Sequence, residues 1–411
     1  MNQRLSPFIA LQYSDFRLLW IGLFISSIGS QMQLVAVNWH IYLLTKSAFS
    51  LGIIGFARFL PMIILSPFSG IIADMIDRKK LMLLAQIFMT IFSLILTITT
   101  FLHIVSPTMI YFLIAALSAA SSFDMPARQS LVPSLVPKKH FINAVSINTT
   151  MWQASMVLGP SLGGFIIASL GIGNVYLINA FSFIAVIIAI LAMAPLKKQI
   201  IEKPVFNVAS LKEGFVFVKN TPMIYSTMLL DFIATFFSSA TVLLPIFAHD
   251  ILRVGPKGLG LLYGAPSIGA IIAGLIISSH GARLKQQGIL LLSGVFIYGF
   301  STILFGISRS FILSFIFLML SGVGDMVSTV IRNTIRQLMT PDYIRGRMVA
   351  VNMIFFMGGP QLGELEAGVV AGLFGTPLSV VVGGLGTIIA TIIIAIRTPQ
   401  LRKYQEHELV T

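Results

Sequence analysis

Twelve long apolar stretches alternate with short polar intervals along the chain, at about 16–44, 49–73, 81–102, 107–130, 141–169, 175–194, 223–248, 259–277, 289–306, 312–330, 348–371 and 378–396. Each approaches or exceeds the roughly 20 residues that carry a helix across bilayer hydrocarbon. The pattern predicts an all-α polytopic membrane protein with twelve transmembrane helices. The longest hydrophilic interval lies between Pro195 and Pro222 and carries Lys197, Lys198, Glu202, Lys203, Lys212, Glu213 and Lys219. Within it Val208, Leu211, Phe215 and Val218 fall at helical spacing, which predicts a short helix along the membrane surface. The expected organisation is a six-helix bundle over 1–194, a cytoplasmic linker with that surface helix over 195–221, and a second six-helix bundle with a cytoplasmic tail over 222–411.

The two halves resemble each other. A shift of 204 residues sets Arg128, Pro137, Val145, Asn148, Gly164 and Gly171 against Arg332, Pro341, Val349, Asn352, Gly368 and Gly375. A shift of 208 sets Leu51 and Gly52 beside Leu259 and Gly260, so small insertions separate the matching segments. Weak identity spread over half a chain is the trace of a parallel repeat, and a 6+6 pseudo-repeat is expected.

Composition agrees with a membrane protein: 56% of the 411 residues are hydrophobic and 10% charged, where a soluble domain carries roughly 25%. The net charge of +13 raises nucleic acid as a partner, and its distribution removes it. With an even number of spans, one side of the membrane holds 22 Lys and Arg and the other holds Lys46, Arg253, Lys257 and Arg309. That asymmetry places both termini in the cytoplasm, with the basic residues in short loops facing anionic lipid. Residues 1–15 lack the pattern of a cleaved signal. The chain has no Cys, which excludes disulfides and thiolate metal sites.

Two loop and helix motifs carry mechanical content. After the second span comes Asp74-Met-Ile-Asp77-Arg78-Lys79-Lys80, acids at one helix end and bases at the next start. Asp74 is expected to pair with Arg78 or with a helix amino end, making Asp74, Asp77 and Arg78 a cytoplasmic gate; a plain positive-inside loop accounts equally for the three bases. In the fifth span, Ser155, Gly159, Pro160, Gly163 and Gly164 combine small residues for close helix approach with a helix-bending proline. The repeat sets Glu364 opposite Pro160.

Ionisable groups inside apolar spans are the sharper functional signal, because charge in hydrocarbon is costly unless it faces a cavity or a partner. These are Arg58, Asp124, Asp231, Asp325, Glu364 and Glu366. Asp325, beside Gly322 and Gly324 near the middle of span ten, is the first candidate for exchanging a proton with solute or solvent. Arg58 is expected to neutralise one of these acids or to receive an anionic solute; a static buried ion pair is the competing reading for Arg58 and for Asp325. Asp124 and Asp231 lie toward the cytoplasmic ends of their spans, where a helix-end role competes. Glu364 and Glu366 point in different directions, and Glu364 is preferred for its place in the repeat. Gln31, Gln33, Asn38, Trp39 and Trp152 are candidates for a substrate pocket. Trp20, Trp39 and His40 also suit an interfacial position.

No phosphate loop of the GxxxxGK[ST] kind occurs, the six His are scattered, and no metal cluster or enzymatic carboxylate pair stands out. Neither a cofactor, a metal nor an ATP-binding domain is expected. The twelve spans, the acid-basic loop and the Gly-Pro motif resemble the major facilitator superfamily. Asp15-Phe16-Arg17-Leu18-Leu19-Trp20, Pro61 with Gly70 before Asp74, and Pro341-Asp-Tyr-Ile-Arg345-Gly346-Arg347 resemble its bacterial branch of enterobactin exporters and macrolide efflux proteins. The resemblance implies alternating access between two six-helix bundles, a substrate site at their interface, and, through the span-five motif, proton antiport. Met75 and Asp77 depart from the superfamily's loop signature, and Ser155 replaces the first Gly of the span-five motif.

The expected function is therefore secondary, proton-coupled export of a small, partly apolar molecule such as a drug or siderophore-like metabolite, by a chain working as a monomer. Dedicated siderophore export, lysophospholipid translocation, solute import and a non-transport sensor or scaffold remain open alternatives at the level of sequence.

Overall fold

A computed structural model of the chain describes residues 8–194, 208–280 and 286–404, with a few side chains inside them, including those of Asp74 and 208–211, left out of the description. The described residues are helical throughout their regular elements. They form α1 (Ser14–Thr45), α2 (Ala48–Met75), α3 (Arg78–Phe101), α4 (Pro107–Leu135), α5 (Phe141–Leu170), α6 (Ile172–Ala192), α7 (Val208–Asn220), α8 (Pro222–Phe237), α9 (Gly255–His280), α10 (Gln287–Ile307), α11 (Phe311–Met339), α12 (Arg345–Phe374), α13 (Thr376–Arg397) and the short α14 (Pro399–Lys403).

Eleven of the described helical segments are long and apolar enough to cross a membrane. The remaining long helix, α12, has 30 residues and so spans roughly 45 Å at 1.5 Å per residue. Gln361, Glu364 and Glu366 lower its hydropathy without shortening it. Backbone proximity divides the described residues into two compact units, one of 8–44 with 60–194, the other of 45–59 with 208–280 and 286–404. The first half of α2 therefore belongs with the second unit.

Local chemistry sets the helix ends. Asp77 caps α3 by accepting from the backbone N–H groups of Lys79 and Lys80 at 2.9 and 3.2 Å, and Ser106 caps α4 by accepting from Met109 at 3.2 Å. Gly171 and Gly375, matched by the repeat, end α5 and α12 with φ of +89° and +93°, a conformation that favours glycine.

Two expectations about the spans need correction. Span seven is not one uninterrupted helix: α8 stops at Phe237, and the chain continues through a 3-10 turn (Ala240–Leu243), one α turn (Leu244–Ile246) and a π turn (Phe247–Ile251). The Ser239 hydroxyl donates to the carbonyls of Thr235 and Pro360 at 2.6 and 3.0 Å, and Pro245 has no N–H to continue a ladder. Span ten, expected at 312–330, continues as α11 to Met339. Arg332 and Arg336, counted above among loop charges, are buried helical residues.

In the first unit α3 packs against α4 and α6, and a core of Phe16, Leu19, Leu23, Met82, Leu131 and Ile190 fills the space between its helices. In the second, α11 packs against both α9 and α10 around Leu230, Leu291, Val295, Ile331 and Ile335. In lipid such contacts stabilise by close packing and interhelical hydrogen bonds. Gly322 makes the α9–α11 approach possible, because a Cβ there would collide with the Pro266 carbonyl. The helix α7 occupies the stretch where a surface helix is expected; its Val218 is buried with Ile224, Met228, Met348 and Val351, and its Glu213 pairs with Arg347.

Candidate functional site

Asp325, Thr329, Arg332 and Arg336 follow one another at intervals of four, three and four residues and so lie along one face of α11. Asp231 reaches that face from α8 and Asn352 from α12. Asp231 Oδ1 stands 3.0 Å from Arg332 Nη2, and its Oδ2 stands 3.6 Å from Arg336 Nη2. Arg332 Nη2 is also 3.6 Å from Asp325 Oδ1 and donates to the Thr329 hydroxyl at 2.7 Å. Arg336 donates to Asn352 Oδ1 and, through Nε, to the Arg332 carbonyl at 3.1 Å. Two arginines and two aspartates thus cancel in formal charge within one bonded cluster.

Burial divides the cluster's roles. The side chains of Asp231 and Arg332 are 3% and 2% exposed, that of Arg336 is 5% exposed, and that of Asp325 is 46% exposed. Paired burial is the condition under which such charges persist in an apolar interior. Asp325 is the member of the cluster whose side chain is open on one side.

A second pair joins Arg58 to Glu364. Their Nη1 and Oε2 atoms are 3.9 Å apart, with the side chains 19% and 16% exposed. Glu364 also stands where Gly55 leaves room, since a Cβ on Gly55 would lie 2.6 Å from the Glu364 Cβ. Sequence reasoning singled out both residues, and the structure brings them together. Glu366, half-buried, has no ion pair among the described residues.

The other candidates are distributed within the first unit. Gln33 Oε1 accepts from the Ser93 hydroxyl at 3.0 Å and from Asn179 Nδ2 at 2.6 Å, tying α1 to α3 and α6. Asn38 and Trp39 are buried, at 1% and 5% exposure, and His40 shares a 3.1 Å hydrogen bond with the Tyr176 hydroxyl. Asp124, also buried, accepts from Gln86 at 2.8 Å. Gln31 is packed against Gly159 of the span-five motif, whose Ser155, Gly159, Pro160, Gly163 and Gly164 are all buried. Trp152 instead faces a cavity of about 440 Å³.

At the basic loop, Arg78 donates to the Ser130 carbonyl at 2.8 Å, and Lys79 Nζ to those of Met193 and Ala194 at 2.9 and 3.3 Å. Both cations therefore sit against the carboxyl ends of α4 and α6, where the helix dipole favours positive charge. Asp77 serves as the α3 cap, and the Asp74 side chain lies outside the described residues.

Sequence reasoning missed Arg332 and Arg336. The signal that finds them is the continuation of the Asp325 face past the drop in hydropathy at Val330.

The comparisons with known proteins agree with this architecture. A family model described as a transmembrane secretion effector matches residues 5–411. The enterobactin exporter EntS of Salmonella typhi is 27% identical over 397 residues, covering 95% of this chain and 94% of that protein. EntS of Escherichia coli O1:K1 / APEC is likewise 27% identical, covering 95% and 93%. Among solved structures, a bacterial homologue of the human lysosomal transporter Spinster, inward-facing and unoccupied, matches with a TM-score of 0.77 at 14% identity, covering 95% of this chain and 98% of that one. A bacterial homologue of the iron transporter ferroportin, inward-facing, matches with a TM-score of 0.71 at 16% identity, covering 93% and 98%.

Proposed function

Because the chain belongs to the transmembrane secretion effector family of the major facilitator superfamily, and is thereby a multi-pass secondary transporter of the bacterial inner membrane, we propose that it exports a small, partly apolar molecule in exchange for protons. The observation that carries this reading is the half-exposed Asp325 attached to a buried, charge-balanced cluster. When Asp325 takes a proton, the cluster acquires a net positive charge and Arg332 retains Asp231 alone as a charged partner. When the proton leaves, the cluster is neutral again. A charge change at a tightly packed face of α11 is a physical basis for favouring one conformation over another.

In this reading Arg58 and Glu364 form a second, breakable contact that holds the first half of α2 in one state. Asp74, Asp77 and Arg78 act at the cytoplasmic end, and both termini lie in the cytoplasm, as the distribution of basic residues favours. Export is favoured by the family's description and by the exporters that resemble the chain along nearly its whole length. Those same relatives favour a siderophore-like metabolite as the more specific cargo.

Uptake into everted membrane vesicles tests the proposal. With an imposed inside-acid gradient, vesicles holding the protein should accumulate at least one member of a panel of siderophores, macrolides, fluoroquinolones and lysolipids, and collapse of the gradient should abolish that accumulation. Gradient-independent equilibration of the same compound would remove proton coupling from the account.

A further inference from the structure

The internal repeat has a chemical asymmetry at its centre. In the first unit Gly159 faces Ile28 and Gln31, and in the second Gly363 faces Phe236 and Ser239. The same contact therefore recurs with a shift of 204 on α5 and α12 and of 208 on α1 and α8. Those shifts carry the charge cluster of the second unit onto definite residues of the first. Arg332 corresponds to Arg128, Asn352 to Asn148, Arg336 to Val132, Asp325 to Ser121 and Asp231 to Leu23. One arginine and the asparagine survive; both acids and the second arginine are replaced by uncharged residues.

The structure shows the consequence. Leu23, Arg128, Val132 and Asn148 line one cavity of about 440 Å³ between α1, α4 and α5, together with Phe141 and Trp152. Where Asn352 Oδ1 accepts from Arg336, the corresponding Asn148 Oδ1 is buried without a hydrogen-bond partner, because Val132 has no donor to offer. Where Arg332 lies between two carboxylates, Arg128 has no ion pair within 4.0 Å or side-chain hydrogen bond among the described residues. Asp124, one turn earlier on α4, interacts with Arg128 electrostatically while its carboxylate accepts from Gln86. A neighbouring cavity of about 320 Å³ shares Pro133 and Phe141 with the first and adds Arg78 and Lys138, so the surrounding field is positive.

We propose that this cavity is the anion subsite of the transported molecule: Arg128 binds a carboxylate or phosphate, Asn148 Oδ1 accepts from a ligand hydroxyl or amide, and an aromatic or apolar body lies against Trp152, Phe141 and Leu23. The inference rests on the transport reading and narrows it to amphipathic anions. A guanidinium lining a cavity offers up to five donors in a planar fork suited to a carboxylate or phosphate. In the second unit two carboxylates stand against Arg332, whereas in the first Asp124 acts on Arg128 without a bonded contact, and a ligand anion supplies that contact.

The test uses purified full-length protein in nanodiscs of neutral lipid, without a gradient, so that its outcome is independent of proton coupling. Equilibrium dialysis compares 2-naphthoate with its uncharged isostere 2-naphthamide, with binding to empty nanodiscs subtracted. The carboxylate should bind about tenfold more tightly, as a charge-assisted hydrogen bond implies. Arg128→Gln should erase that preference and Arg128→Lys should keep part of it. Leu23→Asp, which restores the acid of the second unit, should erase it while Arg128 remains in place. Equal binding of the two probes by the parent protein, or an undiminished preference in a folded Arg128→Gln variant, overturns the assignment. Competitive displacement of 2-naphthoate by phosphatidylglycerol at constant ionic strength would give the cavity to a lipid headgroup and also overturn it.

Discussion

Replacing Asp231 by Asn removes one negative charge from a cluster whose four formal charges cancel, and leaves two buried arginines with a single half-exposed acid. The carboxylate lies 3.0 Å from Arg332 and 3.6 Å from Arg336. At an effective dielectric of about 20, each contact represents roughly 5 kcal/mol of gross Coulomb energy, most of it offset by the desolvation of the same groups. The net loss on breaking one side of a buried pair is roughly 3–5 kcal/mol. Asp325→Asn removes the same formal charge from a side chain that is 46% exposed, and solvent screening limits its effect to about 1 kcal/mol. Equilibrium unfolding of purified protein in mixed micelles, followed by Trp fluorescence and circular dichroism, should therefore rank Asp231→Asn well below Asp325→Asn in stability. Adding Arg336→Met to Asp231→Asn returns the cluster to neutrality and should recover part of the loss. An Asp231→Asn protein within about 1 kcal/mol of the parent, or equal losses for the two variants, refutes the ordering by burial.

Gln33→Ala deprives the buried Asn179 amide and Ser93 hydroxyl of their shared acceptor and should destabilise the protein by about 1–3 kcal/mol in the same unfolding assay. Asp77→Ala should lose about 1 kcal/mol with the α3 cap, whereas Asp77→Asn, which preserves capping, should be nearly neutral; equal losses would assign Asp77's carboxylate charge another role. Glu364→Gln removes the charged partner of Arg58 at 3.9 Å and should speed hydrogen exchange in residues 45–59 by about tenfold, while α10 amides remain protected. Unchanged exchange in 45–59 would show that the pair does not hold that segment.

The fold was largely legible because hydropathy runs and glycine placement are local signals. Gly171 and Gly375 marked matching helix ends, and both adopt the positive φ that such ends use. Charges isolated in apolar runs were equally conspicuous, so Arg58, Glu364, Asp231 and Asp325 stood out before any partner was known. Their pairing was not legible, because it depends on which helices meet. The same limit explains Gln33, which looks like a pocket residue in a polar-flecked helix and finds its partners 60 and 146 residues away. Arg332 and Arg336 escaped for another reason. Falling hydropathy marks the end of a membrane helix, and charged residues that neutralise one another inside a unit produce the same fall. The asymmetric cavity needed both kinds of information: the repeat supplied the correspondence, and packing supplied the missing partners.

The most direct measurement of the central claim is proton movement in proteoliposomes whose transporters present their cytoplasmic faces outward, with a pH-sensitive dye in the external medium. Addition of a transported compound against an inside-acid gradient should trigger proton release by the parent protein. Asp325→Asn should insert and bind the compound normally and release no protons. Undiminished substrate-triggered release by Asp325→Asn would contradict Asp325 as the coupling acid, and transport by the parent protein with no accompanying proton release would contradict proton exchange itself.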